Sequence, residues 1–127
     1  MADDVMTIRQ MCEAFDVTPR TLRFYEQKEL LSPIRQGTRR LYKRRERARL
    51  RLILRGKRFG FSLEEIRQLL DLYEVDPTRR LQLEKTLEAA RVRIGEMRAQ
   101  RDEIDKAIGE LEAHIAWGEE QLNADAA

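Results

Sequence analysis

Apolar positions change their spacing several times along this chain of 127 residues. Ile8, Met11 and Phe15 are spaced for one face of a helix, and Thr7 with Gln10 reads as a capping box at its start. A second short helix follows a tight turn around Asp16-Val17. Thr18 is its N-cap, Pro19 suits the first helical position because the missing N–H had no partner there, and Leu22 and Phe24 are its apolar anchors. Two short helices joined in this way predict a helix-turn-helix. Leu30-Leu31-Ser32-Pro33 then leaves the helix, with Pro33 forcing extended backbone before it. Residues 34–42 read as a short hairpin turned by Gly37, a wing from which Arg35, Arg39 and Arg40 project and which Leu41 and Tyr42 close back on the core. Residues 44–57 are helical, with Ala48, Leu50, Ile53 and Leu54 apolar. Phe59-Gly60-Phe61 turns the chain. Ser62 with Glu65 opens a further helix that buries Leu63, Ile66, Leu69, Leu70 and Tyr73.

Beyond Asp76-Pro77, expected as N-cap and first helical residue, apolar residues recur in alternating steps of three and four as far as about Leu122. One set is Leu87, Ile94, Arg101, Ile108, Ile115 and Leu122; the other is Leu83, Ala90, Met97, Ile104, Leu111 and Gly118. This heptad seam has one charged and one glycine break. A seam so narrow needs a partner helix, so Leu83, Leu87, Ala90, Ile94, Met97, Ile104, Ile108, Leu111 and Ile115 are expected at a dimer interface. Trp117 joins them as an aromatic placed to touch the partner's amino-terminal half, against the alternative of a solvated ring. Arg101 either fixes register, with Asp105 or a partner acid compensating, or marks a place where the seam opens.

Charge changes the picture. The net charge of +2 hides a split: residues 1–70 carry 17 Lys+Arg against 9 Asp+Glu, and residues 71–127 carry 8 against 14. Residues 39–58 hold 11 basic residues and one acid, Glu46. Beside a helix-turn-helix, such an excess points to a polyanion. Arg20, Thr21, Arg23 and Tyr25 share the second helix with those apolar anchors, offering cations and hydroxyls suited to phosphates and base edges. Glu26 is expected to be a structural partner, since a carboxylate facing phosphate is repulsive; Arg23 is one possible mate.

Little else suggests chemistry. One histidine, His114, and one cysteine, Cys12, give no thiolate metal site, no intrachain disulfide and no enzymatic constellation, so neither a cofactor nor enzyme activity is expected. Cys12 is expected to be a small buried residue. No apolar run approaches the ~20 residues of a membrane span, and Met-Ala-Asp-Asp does not open a signal peptide. A reducing cytoplasm is the expected compartment.

The spaced motifs Thr7-Ile8, Thr-Leu-Arg-Phe-Tyr-Glu at 21–26, Leu30-Leu31-Ser32-Pro33, Arg39-Arg40-Leu41-Tyr42 and Gly60-Phe61-Ser62-Leu63-Glu64-Glu65-Ile66 closely resemble the MerR family of bacterial transcription regulators. The resemblance covers residues 6–73; the carboxy-terminal half matches only as one long helix. It implies a mainly α fold: a winged helix-turn-helix domain with a small β wing over 6–75, a long antiparallel coiled-coil dimerisation helix over 76–122, and a tail over 123–127. It also implies that Thr18, Arg20, Thr21, Arg23, Tyr25, Arg39, Arg40, Tyr42, Lys57 and Arg58 face DNA, with Tyr25 gripping phosphate and Tyr42 either a contact or wing packing. The partners implied are double-stranded DNA at a palindromic promoter operator, a second copy of the chain, and RNA polymerase at the promoter, whose elements are realigned when the DNA is distorted. The cysteines that sense metals in many relatives have no counterpart here, and no effector is named by these residues. Two rivals remain: an architectural or excisionase-like DNA-bending protein, and a coiled-coil adaptor.

Overall fold

The computed structural model describes residues 4–75 and 78–126, apart from the Tyr73 side chain. The expected Asp76-Pro77 junction and the expected burial of Tyr73 lie outside the described residues. The described residues fall into two compact units that divide between Thr86 and Leu87.

The first unit holds β1 (Val5–Thr7), α1 (Ile8–Phe15), α2 (Pro19–Gln27), β2 (Ile34–Gln36), β3 (Arg39–Lys43), α3 (Arg44–Arg58) and α4 (Leu63–Val75). Capping sets the first two helices. Thr7 Oγ1 accepts from the Gln10 N–H and Gln10 Oε1 accepts from the Thr7 N–H, so two orphan donors of α1 are satisfied at once. Asp16 ends α1 in the left-handed region at φ 53°, and its N–H bonds the Cys12 carbonyl. Thr18 then caps α2, accepting from the Thr21 N–H at 3.1 Å.

The wing forms where expected, with Gly37 at φ +62° turning β2 into β3. A third strand, β1, pairs antiparallel to β3 on its other side, matching Met6 to Tyr42, and the sheet order is β1-β3-β2. Sequence reasoning missed β1 because three residues carry no alternation of their own.

The core lies among these helices and β3: Met11, Leu22, Tyr25, Leu30, Leu31, Tyr42, Leu50, Ile53, Phe61, Ile66 and Leu70 are all buried. The Ser62–Glu65 capping box opens α4, and Gly56 lets α4 press on α3. A Cβ there would lie 2.8 Å from Ile66 Cγ1. One expectation fails: Phe24 is not core but 42% exposed, with the Lys28 ammonium 5.6 Å from its ring centroid.

Two charged side chains join the core. Arg49 donates to the Leu30 carbonyl at 2.9 Å and to Glu74 at 2.7 Å. Glu46 accepts from the Ser32 N–H and from Arg45, which also pairs with Glu74. These bonds tie the loop after α2 to α3 and to the last turn of α4.

α5 runs from Arg80 to Ala126, so residues expected to form a tail beyond 122 continue the helix as far as 126. Leu87–Ala126 contains no buried residue among those described. The seam residues Leu87, Ile94, Met97, Ile104, Ile108, Leu111 and Ile115 lie 42–60% exposed in the single chain. Arg101 pairs with Asp102 at 3.4 Å, not with Asp105.

Candidate nucleic-acid interface

A concavity of about 270 Å³ lies between α2 and the wing, lined by Thr7, Ile8, Arg23, Thr38, Arg39 and Arg40. Helix periodicity places Arg20 and Arg23 three residues apart on the exposed side of α2, opposite buried Leu22. Thr21 is half-buried, and its hydroxyl lies 2.9 Å from Thr18 Oγ1, so both hydroxyls are already engaged in the cap.

The wing cations are not alike. Arg40 Nε donates to Glu26 Oε1 and Arg35 to Glu26 Oε2, both at 2.6 Å. Arg35 and Arg40 were expected to project freely; one carboxylate on α2 holds both instead, and it does not hold Arg23. Burial pushes the Glu26 carboxyl up, but the hydrogen bonds and charges of Arg40 and Arg35 outweigh it and leave it below its ordinary value. Among the described residues, Arg20, Arg23 and Arg39 have no acidic partner.

The basic run on α3 is likewise divided. Asp4 neutralises Arg44 at 2.6 Å and Arg47 at 2.7 Å, while Glu74 and Glu46 engage Arg45 and Arg49. Arg51 lies over the Phe15 ring, 5.6 Å from its centroid. Lys57 and Arg58 are exposed in the last turn of α3, where cations also suit the negative end of the helix dipole. They do not line the concavity.

Both tyrosine rings lie inward, which for Tyr42 is the wing-packing alternative. Tyr42 is completely buried, and its hydroxyl has no hydrogen-bond partner, so this side chain packs the wing onto the core and does not reach a nucleic acid. The Tyr25 ring is core as well, at 5% exposure. Burial raises both phenols above their ordinary value. Cys12 is half-buried and reduced. Burial, with a smaller push from the Glu13 charge, raises its thiol above the ordinary value, and the charge of Arg23 partly opposes this. Among the described residues no group of three or more His, Cys, Asp or Glu is placed to hold a metal ion, and no helix is long and apolar enough to cross a membrane.

The chain is similar to known proteins over most of its length. A family model described as MerR HTH family regulatory protein matches residues 6–73, and one described as MerR, DNA binding matches residues 47–114. The HTH-type transcriptional regulator ZntR of Escherichia coli (strain K12) is 38% identical over 72 residues, covering 55% of this chain and 50% of that protein. The chain therefore spans about half the length of this relative. The HTH-type transcriptional regulator CueR of Salmonella typhi is 31% identical over 107 residues, 78% of this chain and 76% of that protein. Among solved structures, HiNmlR, a MerR family regulator lacking the sensor domain and bound to promoter DNA, superposes with a TM-score of 0.61 over 82% of this chain and 78% of that one. Its 21% identity makes it a likeness of fold.

Proposed function

The chain belongs to the MerR family of helix-turn-helix regulatory proteins, and we propose that it acts as a homodimeric, sequence-specific DNA-binding transcription regulator. The observation that carries this is a set of cations without an acidic partner among the described residues: Arg23 and Arg39, which line the concavity, and Arg20 on the exposed side of α2. Arginine presents a rigid fork that fits guanine or phosphate, and it binds best when no internal acid competes for it. On this reading α2 enters the major groove, Arg39 at the wing and Lys57 and Arg58 hold flanking phosphates, and Arg40 is positioned by Glu26.

Dimerisation follows from the exposed seam. One two-stranded contact along α5 would cover apolar side chains that a lone helix leaves in water. The seam from 83 to 118 spans ~54 Å at 1.5 Å per residue, whereas half-sites on one face of a straight duplex recur every ~34 Å. A spacer that need not match this period gives DNA a reason to bend or untwist over a palindromic operator. Realignment of promoter elements for RNA polymerase would follow. The relatives are regulators and not enzymes, and nothing in the chain's chemistry departs from that.

The test is binding of the purified chain to duplexes recovered by genome-wide mapping of its bound DNA, followed by salt titration. Tight binding to one palindrome, weakened steeply by salt, supports the proposal, because phosphate neutralisation releases counterions. Equal affinity for all sequences points to an architectural protein, and no binding to duplex DNA points to an adaptor. Either result overturns it.

A further inference from the structure

The long helix carries a row of charges that its own chain leaves unanswered. In the heptad frame set by the seam, Arg91, Arg98, Asp105 and Glu112 all occupy the position that flanks the seam on one side. All four are exposed, and among the described residues none of them pairs with a side chain of its own chain. Elsewhere on the same helix the charges do close on neighbours: Arg93 with Glu96 and Arg101 with Asp102. The same position also holds Glu84, which pairs with Arg80 at 3.1 Å, and Glu119. From Arg91 to Glu119 the row is ordered by sign, two bases followed by three acids.

We propose that Arg91 and Arg98 select the partner helix and its register by pairing with the partner's Glu112 and the partner's Asp105 in an antiparallel second copy. This rests on the homodimer proposed above and adds which residues choose the mate. Antiparallel helices bring like flanking positions face to face. A register that sets Leu87 against the partner's Gly118, Ala90 against the partner's Ile115, Ile94 against the partner's Leu111, Met97 against the partner's Ile108 and Arg101 against the partner's Ile104 fills the seam. Two of these steps match a small residue with a large one. In this register Arg91 lies within about two residues of axial rise, ~3 Å, of the partner's Glu112, and Arg98 lies equally close to the partner's Asp105. The dyad doubles both, giving four complementary pairs; the same register also sets Glu84 opposite the partner's Glu119, at the ends of the seam, where Arg80 already pairs with Glu84. A parallel pairing would instead set Arg93 beside the partner's Arg98 and would put the acidic halves together. Opposed like charges are what exclude a wrong coiled-coil mate.

The experiment uses two full-length double variants, Arg91→Glu/Arg98→Glu and Asp105→Arg/Glu112→Arg, followed by sedimentation equilibrium alone and mixed, with circular dichroism to confirm helicity. One variant has an acidic row throughout and the other a row that is basic from 91 to 112. Each alone should dimerise at least about tenfold more weakly than the native chain, and the equimolar mixture should recover native affinity as a heterodimer. An acidic variant that self-associates as tightly as the native chain overturns the proposal. So does one that associates more tightly, since reversal turns the parallel Arg93–Arg98 clash into an attraction. Ile104→Glu separates the two levels. If it is monomeric while the acidic variant dimerises normally, the pairing code fails and the dimer stands. A native chain that is itself monomeric removes both.

Discussion

Arg23 and Arg40 line the same concavity, yet their side chains are committed differently. Arg23 has no acidic partner among the described residues, whereas Arg40 is bound to Glu26 at 2.6 Å. Arg23→Ala should therefore leave the melting temperature nearly unchanged and weaken specific DNA binding by about 1–3 kcal/mol, the worth of a bidentate base contact; anisotropy titration and thermal melts check the two halves. Arg40→Ala should lower stability by about 1 kcal/mol, because it removes one of the two charge-assisted bonds to the part-buried Glu26 carboxylate and leaves it to Arg35 alone. The Glu26 carboxyl is depressed in the folded state, so its contribution is fully present above its unfolded-state value near 4.3 and is lost as pH falls through the lower folded value. Glu26→Gln should flatten that acid limb, read as the stability difference between pH 6 and pH 3. Residue types at this site were legible in the sequence, but their pairings were not. Nothing in the spacing of residues 20–42 says that the wing folds Arg35 and Arg40 over Glu26, or which of the two expected roles of Tyr42, DNA contact or wing packing, its side chain takes.

At the scale of elements, the start signals decided most of the fold. Thr7 with Gln10, Thr18 with Pro19, and Ser62 with Glu65 are local chemistry, complete within four residues, and each opens a helix where expected. Thr18→Ala removes the acceptor for the Thr21 N–H and frees the Thr21 hydroxyl. It should cost about 1 kcal/mol of stability, and the fraying of the first turn that carries Arg20 should weaken DNA binding beyond that of an equally destabilising core variant. Elements that exist only through distant partners escaped notice. β1 is a strand because β3 lies beside it, and Asp4 just before it answers Arg44 and Arg47 on α3. The arginine-rich helix read as a uniformly basic surface, because a sequence does not show that Glu74 will reach Arg45 and Arg49 across α3 and α4.

For the whole molecule, the question is whether two DNA-binding units act as one. The basic excess lies in the first 70 residues and the acidic excess in the rest, so in the proposed dimer the seam helices would add nothing to phosphate attraction and would act only by joining two DNA-binding units. Ile104→Glu puts a carboxylate into the middle of the seam, where a dimer has no water or cation to offer it. The variant should be monomeric with its amino-terminal unit folded. Salt titration then separates linkage from charge. The slope of log affinity against log salt counts phosphates neutralised, about 0.9 per contact on duplex DNA. A native dimer that seats both units should show about twice the slope of the Ile104→Glu monomer on the same operator, and a much higher affinity at low salt. Equal slopes would mean that one unit does all the binding in the native protein, and that the long helix serves something other than the spacing of half-sites.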